Sequence, residues 1–173
     1  QANVIVPDQF PDFLKWMKGS SDILIAERNL KLAEETIEAA ELIFCLDFNA
    51  LKRIGKLGPW VEASSAKKIM IDHHLDPEAC CDVCISYPQM SSCAELVFRF
   101  FVRLGMLEYV DLPCAENIYT GMMTDTGAFT FNSNNPNLYF IISELLKIGI
   151  DKDVIYDRVY NNYTESRIRL QGF

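Results

Sequence analysis

Short apolar runs alternate with longer amphipathic stretches along this chain. Asn3–Val6, Ile23–Ile25, Leu42–Leu46, Ile69–Ile71 and Val83–Ile85 are runs of large or β-branched residues, and they predict strands. Leu42–Leu46 is continuously apolar, the pattern of a central strand buried on both faces. Between the runs the period lengthens. Leu30, Ala33, Ile37 and Ala40 recur at three- and four-residue spacing and predict a helix over residues 29–40, with Glu34, Glu35 and Glu38 on its solvated face. Phe10–Met17 reads as a short helix or turn. A further helix is expected near Leu51–Ile54, and Gly55, Gly58 and Pro59 break the chain before Trp60–Ala63. Ser92 and Glu95 have capping-box spacing and open an apolar helix whose core stripe is Val97, Phe100, Phe101 and Leu104. A second helix, starting after Pro113 and carrying Ile118, Tyr119, Met122 and Met123, packs on it as an αα-hairpin. Leu138–Ile148 is amphipathic and stops at Gly149. Residues 151–173 read as helical, with Arg158, Arg167 and Arg169 on solvated surface. Strands first interleaved with helices and then followed by them indicate an α/β domain of three layers, with a mostly parallel sheet flanked by helices.

Composition narrows the function classes. The chain has 173 residues, half of them hydrophobic, enough for one domain with a sizeable core. A net charge of −8 argues against general attraction to nucleic-acid backbones or anionic membranes. It leaves a nucleotide substrate open, because a divalent metal supplies local positive charge. No apolar run is long enough to span a bilayer, and no signal peptide is present, so a cytoplasmic location with no membrane partner is expected. The start at Gln1-Ala2-Asn3 suggests a piece of a longer protein. The six cysteines, Cys45, Cys80, Cys81, Cys84, Cys93 and Cys114, are expected to be reduced thiols. Cys80-Cys81-x-x-Cys84 followed by Cys93 lacks a second Cys-x-x-Cys pair, which disfavours zinc, and the alternating Val83-Cys84-Ile85 places Cys84 in the interior.

The candidate chemistry gathers where apolar runs end. Ile69-Met70-Ile71 gives way to Asp72-His73-His74, which contains the only two histidines of the chain. Leu42–Leu46 gives way to Asp47. The helix over Met122 and Met123 ends in Thr124-Asp125-Thr126-Gly127, where Asp125 opposes the helix dipole. Each residue alone has an ordinary structural reading: a turn cap, an Asx turn, a satisfied core histidine. Together they present three carboxylates and two imidazoles at the carboxyl ends of strands and a helix, where open α/β sheets bind ligands. The donor set suits hard or borderline divalent ions such as Mn²⁺ and Mg²⁺, and the chemistry expected of it is metal-assisted hydrolysis of a phosphoester or phosphoanhydride.

Asp47 after its strand, Asp72-His73-His74, and Thr124-Asp125-Thr126-Gly127, in that order, resemble the signature motifs of the DHH phosphoesterase superfamily. The contexts Leu46-Asp47-Phe48-Asn49, Ile71-Asp72-His73-His74-Leu75-Asp76 and Gly121–Gly127 are most similar to its nanoRNase and pAp-phosphatase branch. The resemblance implies that Asp47 bridges two Mn²⁺ ions, with Mg²⁺ as the other candidate ion, and that His73 and Asp125 ligate one of them. It implies that His74 contacts the scissile phosphate, that Asp72 orients the histidines, and that a metal-activated water attacks. The implied substrates are short oligoribonucleotides and small phosphorylated nucleotides such as 3′-phosphoadenosine 5′-phosphate; a homodimer is compatible with the family.

Two family features are missing from the sequence: an initial His-x-x-x-Asp-x-Asp motif and a C-terminal substrate-binding domain. Residues 1–150 therefore read as a catalytic domain without its first strand, and 151–173 as the start of a helical linker. The expectation is an intact enzyme that is active and an isolated chain that is not. Other readings are a pyrophosphatase, polyphosphatase or RecJ-like exonuclease of the same superfamily, and, in another class, a non-catalytic nucleotide-binding module.

Overall fold

The computed structural model describes residues 2–161. Arg167 and Arg169, and the expectation of helix beyond 161, lie outside the described residues. Among these residues five strands form: β1 (Ile5–Val6), β2 (Leu24–Ile25), β3 (Leu42–Leu46), β4 (Lys67–Asp72) and β5 (Val83–Ser86). Every pairing is parallel. The strands make two separate sheets, β1-β2 and β3-β4-β5, where the apolar runs alone suggest one. Six α-helices accompany them among the described residues: α1 (Leu30–Glu38), α2 (Leu57–Ala63), α3 (Cys93–Arg103), α4 (Leu112–Asp125), α5 (Pro136–Ile148) and α6 (Lys152–Tyr156). No described helix is long and apolar enough to cross a membrane.

The three-layer expectation holds around β3-β4-β5. Successive side chains of a strand face opposite ways. Cys45 and Met70 face one side, where they join Ala33 and Ile37 of α1 and Leu57 and Val61 of α2. Ile71 faces the other side with Cys93 and Leu96 of α3. Beyond α3, Phe98 belongs to a second core built by Tyr119, Met122 and Met123 of α4 and Leu138, Ile141 and Leu145 of α5. Helices α3 and α4 pack tightly at Gly121, where an added Cβ would stand 2.7 Å from the Cβ of Ala94.

Several local expectations are corrected. β3 is not a central strand: it lies at the edge of its sheet, and Leu42, Phe44 and Leu46 are exposed. Its inner face alone is buried, and a continuous apolar run does not distinguish these cases. Cys84 is exposed rather than interior, because β5 is the opposite edge strand. Leu104 is 55% exposed, so the buried stripe of α3 is Cys93, Leu96 and Phe98, with Val97, Phe100 and Phe101 only half-buried. Gly58 and Pro59 do not break the chain but sit in the first turn of α2, where proline lacks no needed donor. Helix α4 starts at Leu112, before Pro113, capped by the Asp111 carboxylate on the Cys114 N–H. Arg158 is not simply solvated: its guanidinium lies 4.7 Å from the ring centroid of Trp16.

Candidate metal centre

The site is set by register. Leu46 pairs with Ile71, and the Asp47 N–H continues the ladder to the Ile71 carbonyl at 3.1 Å. Asp47 and the Asp72-His73-His74 segment therefore emerge side by side from neighbouring strand ends. Asp47 has a φ of 64°, a left-handed backbone that aspartate tolerates better than most residues.

His73 is held from behind. Its Nδ1 lies 3.3 Å from the Met90 carbonyl. A carbonyl only accepts, so Nδ1 carries the proton and Nε2 carries a lone pair when the ring is neutral. That Nε2 faces Asp125 Oδ2 at 3.1 Å and Asp47 Oδ1 at 3.6 Å. A lone pair aimed at two carboxylates is repulsive unless a positive species joins them. Nitrogen–oxygen separations near 3 Å are those of neighbouring ligands around an ion with bonds of about 2.1 Å. Two carboxylates and an imidazole, without a thiolate, are the donors a hard or borderline divalent ion takes. The residues fit the implied metal.

His74 stands beside these donors. Donor atoms of Asp47, His73 and His74 all lie within 4.8 Å of one another. His74 Nδ1 is 2.7 Å from Asp72 Oδ1, so its Nε2 is the free nitrogen, and its side chain is partly exposed. Asp72 is fully buried, and its Oδ2 has no hydrogen-bond partner among the described residues. The expectation that Asp72 orients both histidines is thus corrected: it holds His74, whereas His73 is held by Met90.

Burial raises the pKa of Asp47, and the Asp125 charge raises it further against the opposing pull of His73. Crowded carboxylates that resist ionising are what a bound cation relieves. Beneath them Cys93 donates to the Ile71 carbonyl at 3.1 Å. Burial, with the Asp47 charge adding, pushes this thiol up to about 12, so at neutral pH it is inert packing.

The residue pattern did not reveal what supports the site. Glu95 does not complete a capping box with Ser92. Ser92 caps the Glu95 N–H, but the Glu95 carboxylate accepts from the Ser91 N–H at 2.9 Å and Ser91 Oγ at 2.7 Å, and pairs with Arg99 at 2.7 Å. It thereby fixes the turn that presents the Met90 carbonyl. Asn132 Nδ2 donates to that same carbonyl at 3.2 Å. Asn132 is carried there by a turn in which Gly127, Ala128 and Phe129 all have positive φ. A backbone acceptor such as Met90 leaves no mark in a sequence.

Two stability predictions follow from these supports. Glu95→Ala leaves Arg99 and Ser91 without their buried acceptor and should cost about 3 kcal/mol by chemical denaturation. Gly127→Ala places a Cβ 2.2 Å from the Phe131 ring at a φ of +54° and should lower the melting temperature by an amount corresponding to more than about 1 kcal/mol.

The chain as a whole is similar to known proteins. The chain superposes on the crystal structure of an exopolyphosphatase-related protein from Bacteroides fragilis with a TM-score of 0.96 and 60% identity, covering 98% of this chain and 50% of that one. It is 25% identical over 140 residues to the bifunctional oligoribonuclease and PAP phosphatase NrnA of Bacillus subtilis, covering 80% of this chain and 43% of that protein. It is 29% identical over 92 residues to an uncharacterised Mycoplasma pneumoniae protein, 53% of this chain and 28% of that one. The chain thus spans half or less of the length of these proteins. The family model described as the DHH family, N-terminal domain, matches residues 2–123, which include Asp47 and Asp72-His73-His74 and stop just short of Asp125. The chain belongs to the DHH family and contains its N-terminal domain.

Proposed function

We propose that the full-length protein hydrolyses short oligoribonucleotides and 3′-phosphoadenosine 5′-phosphate in a Mn²⁺-dependent reaction. The observation that carries this reading is the orientation of His73, whose Nε2 faces Asp47 and Asp125 because Met90 takes its Nδ1 proton. Asp47, His73 and Asp125 would hold the ion, which when bound lowers the pKa of a water and neutralises phosphate charge. The choice of nucleotide substrate follows the likeness to NrnA. The acidic net charge of −8 also favours short substrates over long polyanions.

The chain's own residues supply the rest. Asp72 holds His74 Nδ1 and so fixes the ring with Nε2 turned outward, where we assign it to contact a phosphate oxygen. His73 keeps its orientation through Met90 and Asn132. The chain places a carboxylate oxygen of Asp125 and one of Asp47 at 3.1 and 3.6 Å from His73 Nε2, so we assign ion binding to this chain and turnover to the full-length protein.

A second reading is hydrolysis of inorganic polyphosphate or pyrophosphate. It is favoured by the 60% identity to the exopolyphosphatase-related protein. Assaying the full-length protein with Mn²⁺ on di- to pentaribonucleotides, pAp, polyphosphate and pyrophosphate separates the two. Mononucleotide or AMP release is expected; orthophosphate from polyphosphate alone would overturn the nucleotide reading.

A further inference from the structure

We propose, resting on the nucleotide reading above, that Phe131 is the platform on which the substrate's nucleobase stacks, and that it selects nucleotides over base-free phosphates. The turn after α4 is where this begins. Asp125 closes that helix, and the chain then folds back on itself. The N–H groups of Thr130 and Phe131 both bond to the Thr126 carbonyl, at 3.0 and 3.2 Å. Thr130 Oγ1 donates to the Gly127 carbonyl at 2.7 Å, and the Phe129 N–H donates to Thr126 Oγ1 at 3.0 Å.

The Phe131 ring lies back over Gly127. A Cβ added there would stand 2.2 and 2.4 Å from the ring carbons Cζ and Cε1, so the ring fills the place that a side chain at 127 would take. Gly127 is two residues past Asp125. On its other side Phe131 adjoins Asn132, whose Nδ2 donates to the Met90 carbonyl that also takes the His73 Nδ1 proton. The ring is thus fixed between one ligand of the metal centre and the support of another.

Yet Phe131 is 60% exposed. Phe129, two residues earlier, turns inward and packs on Tyr119 with 5.6 Å between ring centroids. Among the described residues no aromatic ring pairs with that of Phe131. A single exposed apolar side chain is ordinary. This one is held by a turn in which Ala128, Phe129 and Asn132 all take left-handed backbone, a costly state for residues with a Cβ. A fixed aromatic face beside a centre for phosphate chemistry suits a nucleobase, because every base has a π-face. Phosphate and ribose have none. Stacking also supplies affinity that a chain of net charge −8 does not gain from general attraction to phosphates.

The test compares pAp with an abasic analogue, hydrogen replacing adenine, on full-length protein with Mn²⁺. The wild type should prefer pAp through a lower KM. In Phe131→Ala that preference should shrink at least about 5-fold, through KM rather than kcat. Phe131→Tyr should keep the preference; Phe131→Leu, apolar without a π-face, should not. Tyr109→Ala is the control, because Tyr109 is similarly exposed but precedes α4, whose 14 residues separate it from Asp125 by about 20 Å. Binding is read apart from turnover in Phe131→Trp, whose added fluorescence AMP should quench and ribose 5-phosphate should not. A preference for pAp that Phe131→Ala leaves intact would overturn the proposal while the nucleotide reading stands. Absence of turnover on pAp and oligoribonucleotides would overturn that reading, and Phe131→Trp fluorescence untouched by AMP would overturn the proposal by itself.

Discussion

His73→Ala is expected to remove Mn²⁺-dependent turnover by the full-length protein and the Mn²⁺-induced rise in its melting temperature together. The imidazole is the single neutral donor between two carboxylates, at 3.1 Å from Asp125 and 3.6 Å from Asp47. Without it the ion loses a ligand, and Asp47 and Asp125 face each other with less to separate their charges. Loss of residues that merely orient ligands costs about 10- to 100-fold in affinity or activity. Loss of a ligand should therefore exceed about 100-fold. At an ion concentration about 100 times Kd, binding stabilises the fold by about 2.7 kcal/mol, and the variant forfeits that gain. His74→Ala provides the contrast. It should retain the metal-induced stabilisation while losing turnover, since His74 is assigned to phosphate. Differential scanning fluorimetry with and without Mn²⁺, beside the nucleotide assay, reads both quantities.

Asp47→Asn should move the two readouts in opposite directions. Burial, then the charge of Asp125, raises the Asp47 pKa above the ordinary carboxylate value. For an acid whose folded pKa is raised, the folded state holds its proton longer than the unfolded state. Stability is then lost as pH climbs from the unfolded carboxylate value through the raised folded value, and the penalty persists above it. Asparagine removes the penalty and tolerates the φ of 64°. The metal-free variant should therefore melt slightly above the metal-free wild type at neutral pH, with the difference vanishing in acid. The gain is small because the Asp47 side chain is 56% exposed and solvent screens its charge. Mn²⁺ should raise the melting temperature of the wild type alone, and the variant should be inactive. Paired melting curves across pH, with and without Mn²⁺, measure this exchange of stability for function.

What the sequence made legible was chemistry at the ends of regular elements. Asp47, Asp72, His73, His74 and Asp125 stand out because charged and imidazole groups interrupt apolar runs, and the structure brings Asp47, His73, His74 and Asp125 to one place. The supports were not legible for a physical reason. The Met90 carbonyl is backbone, and Asn132 arrives through left-handed turn geometry that composition does not specify. Glu95 has the spacing of a capping box, yet its carboxylate bonds to Ser91 and Arg99. The fold shows the same division. The order of strands and helices follows from periodicity. Periodicity does not tell a buried central strand from β3, whose outer face with Leu42, Phe44 and Leu46 is exposed. Nor does it reveal that Cys45, Met70 and Cys84 fall in register across β3, β4 and β5, which is set only once the strands pair.

The central claim is that Asp47, His73 and Asp125 hold a divalent cation. The most direct measurement is electron paramagnetic resonance of free Mn²⁺ during titration with this 173-residue chain. The account predicts saturable loss of the free-ion signal that is abolished in Asp47→Asn and His73→Ala and retained in His74→Ala. A free-ion signal that the wild-type chain leaves unchanged, or uptake that Asp47→Asn and His73→Ala do not alter, would contradict it.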